Sequence, residues 1–229
     1  GLTLVKQWKT AAVRDIRIHQ GKVYLATWGQ GIARIDGVTN TLITLPYKTK
    51  LKATAKRVTA LGEHQGSLVA GTAGSGVLRL ENDRIHAAYP ALKDRWVWTI
   101  KSQKAHLWVG TFSGLVALGS NVPETYTKHD VRRLSRHGQA LVATTANGRL
   151  LELKKGMVTP FKDPGPKGVQ NTTWTKRHGI TCAGSKEGLW ARKDEGTWQQ
   201  LIHPTLPDGD IAALAHDGKR LWAGLFDHG

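Results

Sequence analysis

A six-bladed β-propeller, a ring of four-stranded antiparallel sheets, is the fold class predicted for this 229-residue sequence, and three observations predict it. One short segment recurs six times. Its spacing matches the length of a four-stranded blade. The sixth copy is split between the two ends of the chain, as happens when a ring of repeats closes on itself.

Five copies lie inside the chain. They are Val23-Tyr-Leu-Ala-Thr-Trp-Gly-Gln-Gly-Ile-Ala-Arg-Ile35, Leu68-Val-Ala-Gly-Thr-Ala-Gly-Ser-Gly-Val-Leu-Arg-Leu80 and Leu107-Trp-Val-Gly-Thr-Phe-Ser-Gly-Leu-Val-Ala-Leu118. The other two are Leu141-Val-Ala-Thr-Thr-Ala-Asn-Gly-Arg-Leu-Leu-Glu-Leu153 and Ile180-Thr-Cys-Ala-Gly-Ser-Lys-Glu-Gly-Leu-Trp190. The sixth starts as Leu221-Trp-Ala-Gly-Leu-Phe-Asp-His-Gly229 and resumes at Gly1-Leu-Thr-Leu-Val-Lys-Gln-Trp8. Successive anchors are 45, 39, 34, 39 and 41 residues apart, and closing the circle takes 31, so the mean unit is about 38 residues.

Each unit reads as four strands, here A to D from inner to outer. Strand A opens on a β-branched residue ten positions before the anchor: Val13, Val58, Val97, Val131 and Ile211, with Gln170 in the fifth unit. Period-two alternation, as in Val13-Arg-Asp-Ile-Arg-Ile18, marks it as a strand. A tight turn follows, as in His19-Gln-Gly-Lys22 or His216-Asp-Gly-Lys219, where glycine supplies positive φ. Strand B carries the anchor, a Gly-bearing turn leads to strand C, and a looser strand D ends the unit. The A strands start near 13, 58, 97, 131, 170 and 211, and residues 1–10 complete the last blade, which leaves no free sheet edge. The whole chain, 1–229, then reads as one propeller domain. A seventh blade supplied by residues beyond this sequence would fit the same grammar.

Composition agrees. Apolar residues make up 40% of the chain, enough for a core, and no run of 18 apolar residues offers a membrane span. The chain begins at Gly1 without an initiator Met, as a processed product or an excised domain would. Cys182, the single cysteine, rules out an internal disulfide and reads as a buried structural thiol. The charge is +16, from 33 basic and 17 acidic residues. Such a field favours anionic partners. Lys48, Lys50, Lys52, Lys56 and Arg57 share one D-to-A connection, with Lys93 and Arg95 in the next. D-to-A and B-to-C connections emerge at one end of an antiparallel blade, so that end is expected to be basic.

The anchors Leu107-Trp-Val-Gly-Thr111 with Gly114-Leu115, the preceding Val97-Trp-Thr-Ile100, and Leu221-Trp-Ala-Gly224 resemble the two-component regulator propeller repeat. The third unit matches best. The fourth and fifth depart from the pattern, with Thr144 at a glycine position and Ala183-Gly184 standing for Gly-Thr. The resemblance implies a periplasmic or other extracytoplasmic sensing module for signal transduction, often attached to a sensor kinase and often recognising carbohydrate.

Catalytic signatures are sparse. Paired cysteines and His-Glu-x-x-His are absent, so no metal and no cofactor is expected. Asp15, Asp130 and Asp210 lie near arginines, and ion pairing is their expected role. His19, His64, His137, His178 and His216 recur at the A-to-B turn and read as turn residues.

A binding site is better supported. Propeller ligands sit where loops of several blades converge. The position after each A-strand start reads Arg14, Thr59, Trp98, Arg132, Asn171 and Ala212, a variety that suits an asymmetric ligand. The preceding positions add Arg57, Arg95 and Trp96, and the B-to-C turns add Trp28, Phe112, Lys186, Phe226 and His228. Arginine pairs its donors with carboxylate, sulfate or phosphate, and tryptophan offers a flat face to a ring. Trp108 and Trp222 are expected to fill space between blades, while Trp98 and Trp174 fit either role.

The sequence therefore predicts a non-catalytic recognition or sensor propeller binding an anionic small molecule or an acidic oligosaccharide. A scaffold for an acidic protein and a lyase or hydrolase acting on a charged glycan are the alternatives. Nucleic acid is the weaker partner, because no nucleic-acid motif is present and the sequence does not order its aromatics along a groove.

Overall fold

Alternating apolar strands joined by tight turns give an all-β chain, described by a computed structural model over residues 9–39, 41–48, 52–92, 96–103, 105–119, 124–137, 140–154, 157–162, 165–166, 171–177, 179–194, 196–202, 211–216 and 221–225. The chain divides into two compact units, Gly1–Lys128 and His129–Gly229.

The first unit holds three four-stranded sheets, each an up-and-down meander. They are β1 (Val13–His19) to β4 (Leu42–Thr44), with β2 (Lys22–Thr27) and β3 (Gly31–Ile35) between; β5 (Val58–His64), β6 (Ser67–Thr72), β7 (Val77–Glu81) and β8 (Arg84–Ala88); and β9 (Val97–Gln103), β10 (His106–Thr111), β11 (Gly114–Leu118) and β12 (Glu124–Thr127). The second unit repeats the meander in β13 (Val131–His137), β14 (Ala140–Thr145), β15 (Leu150–Lys154) and β16 (Met157–Pro160), and in β17 (Asn171–Arg177), β18 (Ile180–Ser185), β19 (Gly188–Lys193) and β20 (Gln199–Leu201). A two-stranded sheet, β21 (Ile211–His216) with β22 (Leu221–Leu225), follows. Residues 1–8, on which the expected closure of the last blade rests, lie outside the described residues.

Within each unit the sheets pack face to face, as propeller blades do. In the first unit Tyr24, Ile32, Val58, Leu61, Leu68, Leu78 and Ile85 form one core between the first two sheets. Val69, Val77, Val97, Ile100, Leu107 and Val116 form the next. In the second unit Trp174 packs with Val142, Leu150 and Ala183, and Cys182 with Leu189 and Ile211. Burial raises the Cys182 thiol above its usual pKa, as expected of a structural cysteine. The repeated glycine of strand B serves this packing: a Cβ on Gly71 would overlap Val97 of the next sheet, and one on Gly184 would overlap Ile211.

The residue after that position, which holds Ala26 in the first sheet and Thr144 in the fourth, also has a job in every described B-to-C turn. Thr27, Thr72, Thr111, Thr145 and Ser185 are buried, and each hydroxyl donates to a carbonyl at the start of the returning strand, that of Gly31, Gly76, Gly114, Arg149 or Gly188, at 2.8 to 3.1 Å. Burial demands this partner, since an unsatisfied hydroxyl there is costly.

Three expectations are corrected. The fifth unit is not degenerate at this position: Asn171 pairs with Ser185 as Val58 pairs with Thr72, so the Gly184-Ser185 pair occupies the Gly-Thr position. Strand A there starts at Asn171, and the true anchor is Thr181, which is fully buried while the neighbouring Ile180 is 48% exposed. Apolar character, which marks the anchor in the other units, is inverted at those two residues. Second, His19 and His64 are not turn residues. They end strands β1 and β5, are buried, and reach the adjacent strand A, His19 Nδ1 to Glu63 Oε1 at 2.9 Å and His64 Nδ1 to Ser102 Oγ at 3.0 Å. Third, Asp15 forms no ion pair among the described residues but accepts backbone N–H groups of Ile16 at 2.9 Å and Leu61 at 2.7 Å, tying β1 to β5.

Candidate functional site

All six A strands carry the same irregularity. Residue 13 pairs with Thr27 and Asp15 with Ala26, which leaves Arg14 as an extra residue, a β-bulge. The same skip falls on Thr59, Trp98, Arg132, Thr172 and Ala212. A bulge frees one residue from the ladder and re-aims its side chain. Five of the six positions picked out by their varied chemistry are these bulges. Asn171 is the exception, since the register correction puts Thr172 on the bulge and Asn171 on the paired position of Val58.

In the first unit the bulges and turns assemble a cluster. The Arg14 guanidinium carbon lies 5.4 Å from the centre of the Trp28 ring, and that of Arg57 lies 5.9 Å from it. Trp28 follows strand B and is half-buried, while both arginines are exposed. Backbone hydrogen bonds fix the arrangement: Trp28 N–H donates to Ala12 at 2.9 Å, Gly29 N–H to Lys56 at 2.8 Å, and Trp28 and Arg57 form an antiparallel bridge. Among the described residues no carboxylate or carbonyl accepts from either guanidinium. Three other arginines of this unit are engaged: Arg17 with the Leu61 carbonyl, Arg34 with Asp83, Arg79 with Glu81 and Ser67.

The ladder continues along the same end of the unit. Ala73 N–H donates to the Arg57 carbonyl at 2.9 Å, Ala73 bridges Trp96, and Phe112 N–H donates to the Trp96 carbonyl at 3.2 Å. Trp96 and Trp98 rings meet at 5.3 Å, tilted by 54°. Trp96 is 37% and Phe112 60% exposed, whereas Trp98 is half-buried. Thr59, the bulge between the two clusters, spends its hydroxyl on the Val97 carbonyl at 2.6 Å.

The second unit differs. Arg132 is clamped by Asp130, with Nη2 at 2.6 Å and Nε at 2.8 Å from the same carboxylate oxygen, which is the ion pair expected there. Lys186 is exposed in the β18–β19 turn. Trp174 is buried, edge-on to Phe161 at 5.8 Å and Trp198 at 5.2 Å, and so fills space, as does Trp108 in the first unit. Arg95, Phe226 and His228 lie outside the described residues, as does Asp210.

Two clefts open at the opposite end of the first unit, around the A-to-B and C-to-D turns, a region that the sequence does not single out. One, of about 370 Å³, is lined by Gln65, Arg79, Glu81, His86 and Tyr89. The other, of about 500 Å³, is lined by His19, Lys22, Tyr24, Arg79, Glu81 and Asp83. Several of their polar groups pair with one another: Glu81 lies 3.2 Å from Arg79 and 3.1 Å from His86, and Asp83 holds Arg34 at 2.7 Å. Charged residues separated by two and five positions give no usable signal, because only the β7–β8 hairpin brings them together.

No protein-family model and no curated protein sequence matches the chain. Solved structures do. The extracellular domain of BT3049 from B. thetaiotaomicron, described as a hybrid two component system, is similar with a TM-score of 0.75 at 14% identity over 96% of this chain and 33% of that one. The extracellular domain of BT4673 from the same organism, also described as a hybrid two component system, gives 0.72 at 17% identity over 93% of this chain and 31% of that one. This chain thus spans about a third of those proteins' length. A catalytically inactive virginiamycin B lyase from Staphylococcus aureus, bound to quinupristin, gives 0.72 at 16% identity over 94% of this chain and 78% of that one. At such identities the likeness is one of fold.

Proposed function

We propose that this chain is a non-catalytic recognition propeller that binds an anionic ligand at Arg14, Trp28 and Arg57. The observation that carries the reading is two guanidiniums gathered on one indole with no acceptor among the described residues on either. A carboxylate, sulfate or phosphate supplies what both lack, through paired charge-assisted hydrogen bonds. Trp96 and Phe112 offer apolar faces beside it. The described histidines of the first unit, His19, His64, His86 and His106, sit toward the other end of its sheets, which favours binding over acid–base catalysis at this end.

Membership of the two-component regulator propeller repeat family, an extracytoplasmic location and a sensor role belong to the same proposal. They are supported by the repeat resemblance and by the fold shared with extracellular domains of hybrid two component systems. The proposal includes a single domain of six blades, the last completed by residues 1–10.

The test is isothermal titration with glucuronate-bearing oligosaccharides, dicarboxylates, a short oligonucleotide and neutral sugars at low and moderate salt. Selective binding of acids that survives moderate salt and is lost in Arg14→Ala supports the reading. Equal indifference to acids and neutral sugars refutes it.

A further inference from the structure

The arginine–tryptophan cluster lies at the strand ends, apart from the two clefts described above. The ladder sets its groups in a fixed order: Trp28, Arg57, Ala73, Trp96, Phe112. Neighbouring strands stand about 4.8 Å apart, so four steps cover at most about 20 Å, room for a few residues of a chain laid across the sheet ends.

Among the described residues along that line, the guanidiniums gather at one end and the exposed aromatic rings stand at the other. Arg14 and Arg57 stand at the Trp28 end, joined by the exposed Lys52 and Lys56 of the turn Ala53–Lys56 and its flank. Exposed Trp96 and Phe112 stand at the other. An acidic glycan carries its charges on the same rings that it would stack. A nucleic-acid strand separates charged phosphates from flat, uncharged base faces, and it meets guanidiniums and indoles with different parts. The net charge of +16 supplies the long-range attraction.

We infer that the ligand of this face is single-stranded nucleic acid, its phosphates on Arg14 and Arg57 and its bases stacked on Trp96 and Phe112. The inference rests on the anion-binding reading above and names the ligand class for it. Sequence readout is not part of it, since stacking tolerates every base.

The test is fluorescence anisotropy of the whole chain with a short labelled oligo-dT, competed by an abasic strand of equal length, by heparin and by glucuronate. Oligo-dT should bind more tightly than the abasic strand by about 25-fold or more, the product of two stacked bases. Trp96→Ala and Phe112→Ala should each weaken oligo-dT by about fivefold or more and leave the abasic strand unchanged. Arg14→Ala with Arg57→Ala should weaken both strands and reduce the salt slope by about 1.4, roughly 0.7 for each phosphate no longer neutralised. Trp96→Phe, which keeps a stacking face, should restore most of the oligo-dT affinity and guards against a misfolded alanine variant. Equal affinity for oligo-dT and the abasic strand, or heparin and glucuronate preferred over both, overturns the nucleic-acid assignment and leaves the anion site standing. No binding to any of the four sinks both.

Discussion

Arg14 and Arg132 are the same residue at the same place in two sheets. Each is the bulge after the first residue of strand A, and each lies beside the turn that follows strand B. Their surroundings differ at two positions. In the first sheet the residue before strand A is Ala12 and the turn residue donating to its carbonyl is Trp28; in the fourth they are Asp130 and Ala146. Arg14 therefore rests on a ring and meets no acceptor among the described residues, while Arg132 spends two donors on a carboxylate at 2.6 and 2.8 Å. Basic residues counted in the sequence overstate the basic groups open to a partner, and the neighbour two residues away decides which are open.

The sharpest way to break this comparison is to remove each arginine. Arg14→Ala and Arg57→Ala should each weaken binding of an acidic ligand by about 10- to 100-fold, the range for removing a charge-assisted hydrogen bond. Arg132→Ala should change it by less than about twofold, as a screened, partly exposed pair does. Titration calorimetry on the three variants decides it. A loss in Arg132→Ala equal to that in Arg14→Ala would show that Asp130 does not hold Arg132 back.

The comparison can also be reversed. Asp130→Ala with Ala146→Trp gives the fourth sheet the Ala-Arg-Trp trio of the first. Affinity for a polyanion at low salt should rise by about three- to tenfold, the worth of one added arginine at an exposed surface. Asp130→Ala alone should give the smaller part of that gain. An unchanged affinity in the double variant would mean that Arg57, for which no counterpart is added, is indispensable to the first-sheet site.

Trp28→Leu tests the ring itself. An exposed cation–π pair contributes about 0.5–1 kcal/mol, so removing the seat should weaken the ligand by about two- to fivefold while both charges remain. A loss as large as that in Arg14→Ala would assign the indole a direct role in touching the ligand.

The fold was more legible than the site, for a physical reason. Packing imposes a periodic demand, and residues such as Val58, Val97, Gly71 and Thr72 answer it at each repeat, so their chemistry recurs in the sequence. Legibility failed where the demand could be met in another way. Thr181 satisfies a buried position with a hydroxyl-bearing side chain, and the exposed Ile180 beside it imitates the anchor. The site depends on bulges, which have no residue signature of their own. Variety in the column of Arg14, Thr59, Trp98 and Arg132 was their only trace, and Asn171 entered it through the misplaced anchor. The pairing of Arg132 with Asp130 was visible in the spacing of two residues. The gathering of Arg14 and Arg57 on Trp28 was not, because it joins two sheets.

The smallest effect concerns the scaffold that holds the Arg14 end in place. His64 and His19 end successive A strands and both cross to the next one, but they differ in partner: Glu63 for His19, Ser102 for His64. Burial, helped by the charges of Arg79 and His106, holds the His64 imidazole below its ordinary value of 6.5. Protonation is then harder in the folded chain than in the unfolded one. The unfolded state binds the proton first as pH falls through about 6.5, so stability is full above that value and declines below it. His64→Gln keeps a side chain able to bond the Ser102 hydroxyl and removes the titration. Its melting temperature should fall less than that of the parent between neutral and mildly acidic pH, read by thermal denaturation at fixed salt. Binding at Arg14 and Arg57 should be unaltered at neutral pH, because the substitution lies at the far end of strand β5 from the bulge at Thr59. A variant that loses ligand without losing stability would connect the two ends of that strand, and the difference between Arg14 and Arg132 would no longer be a matter of immediate neighbours alone.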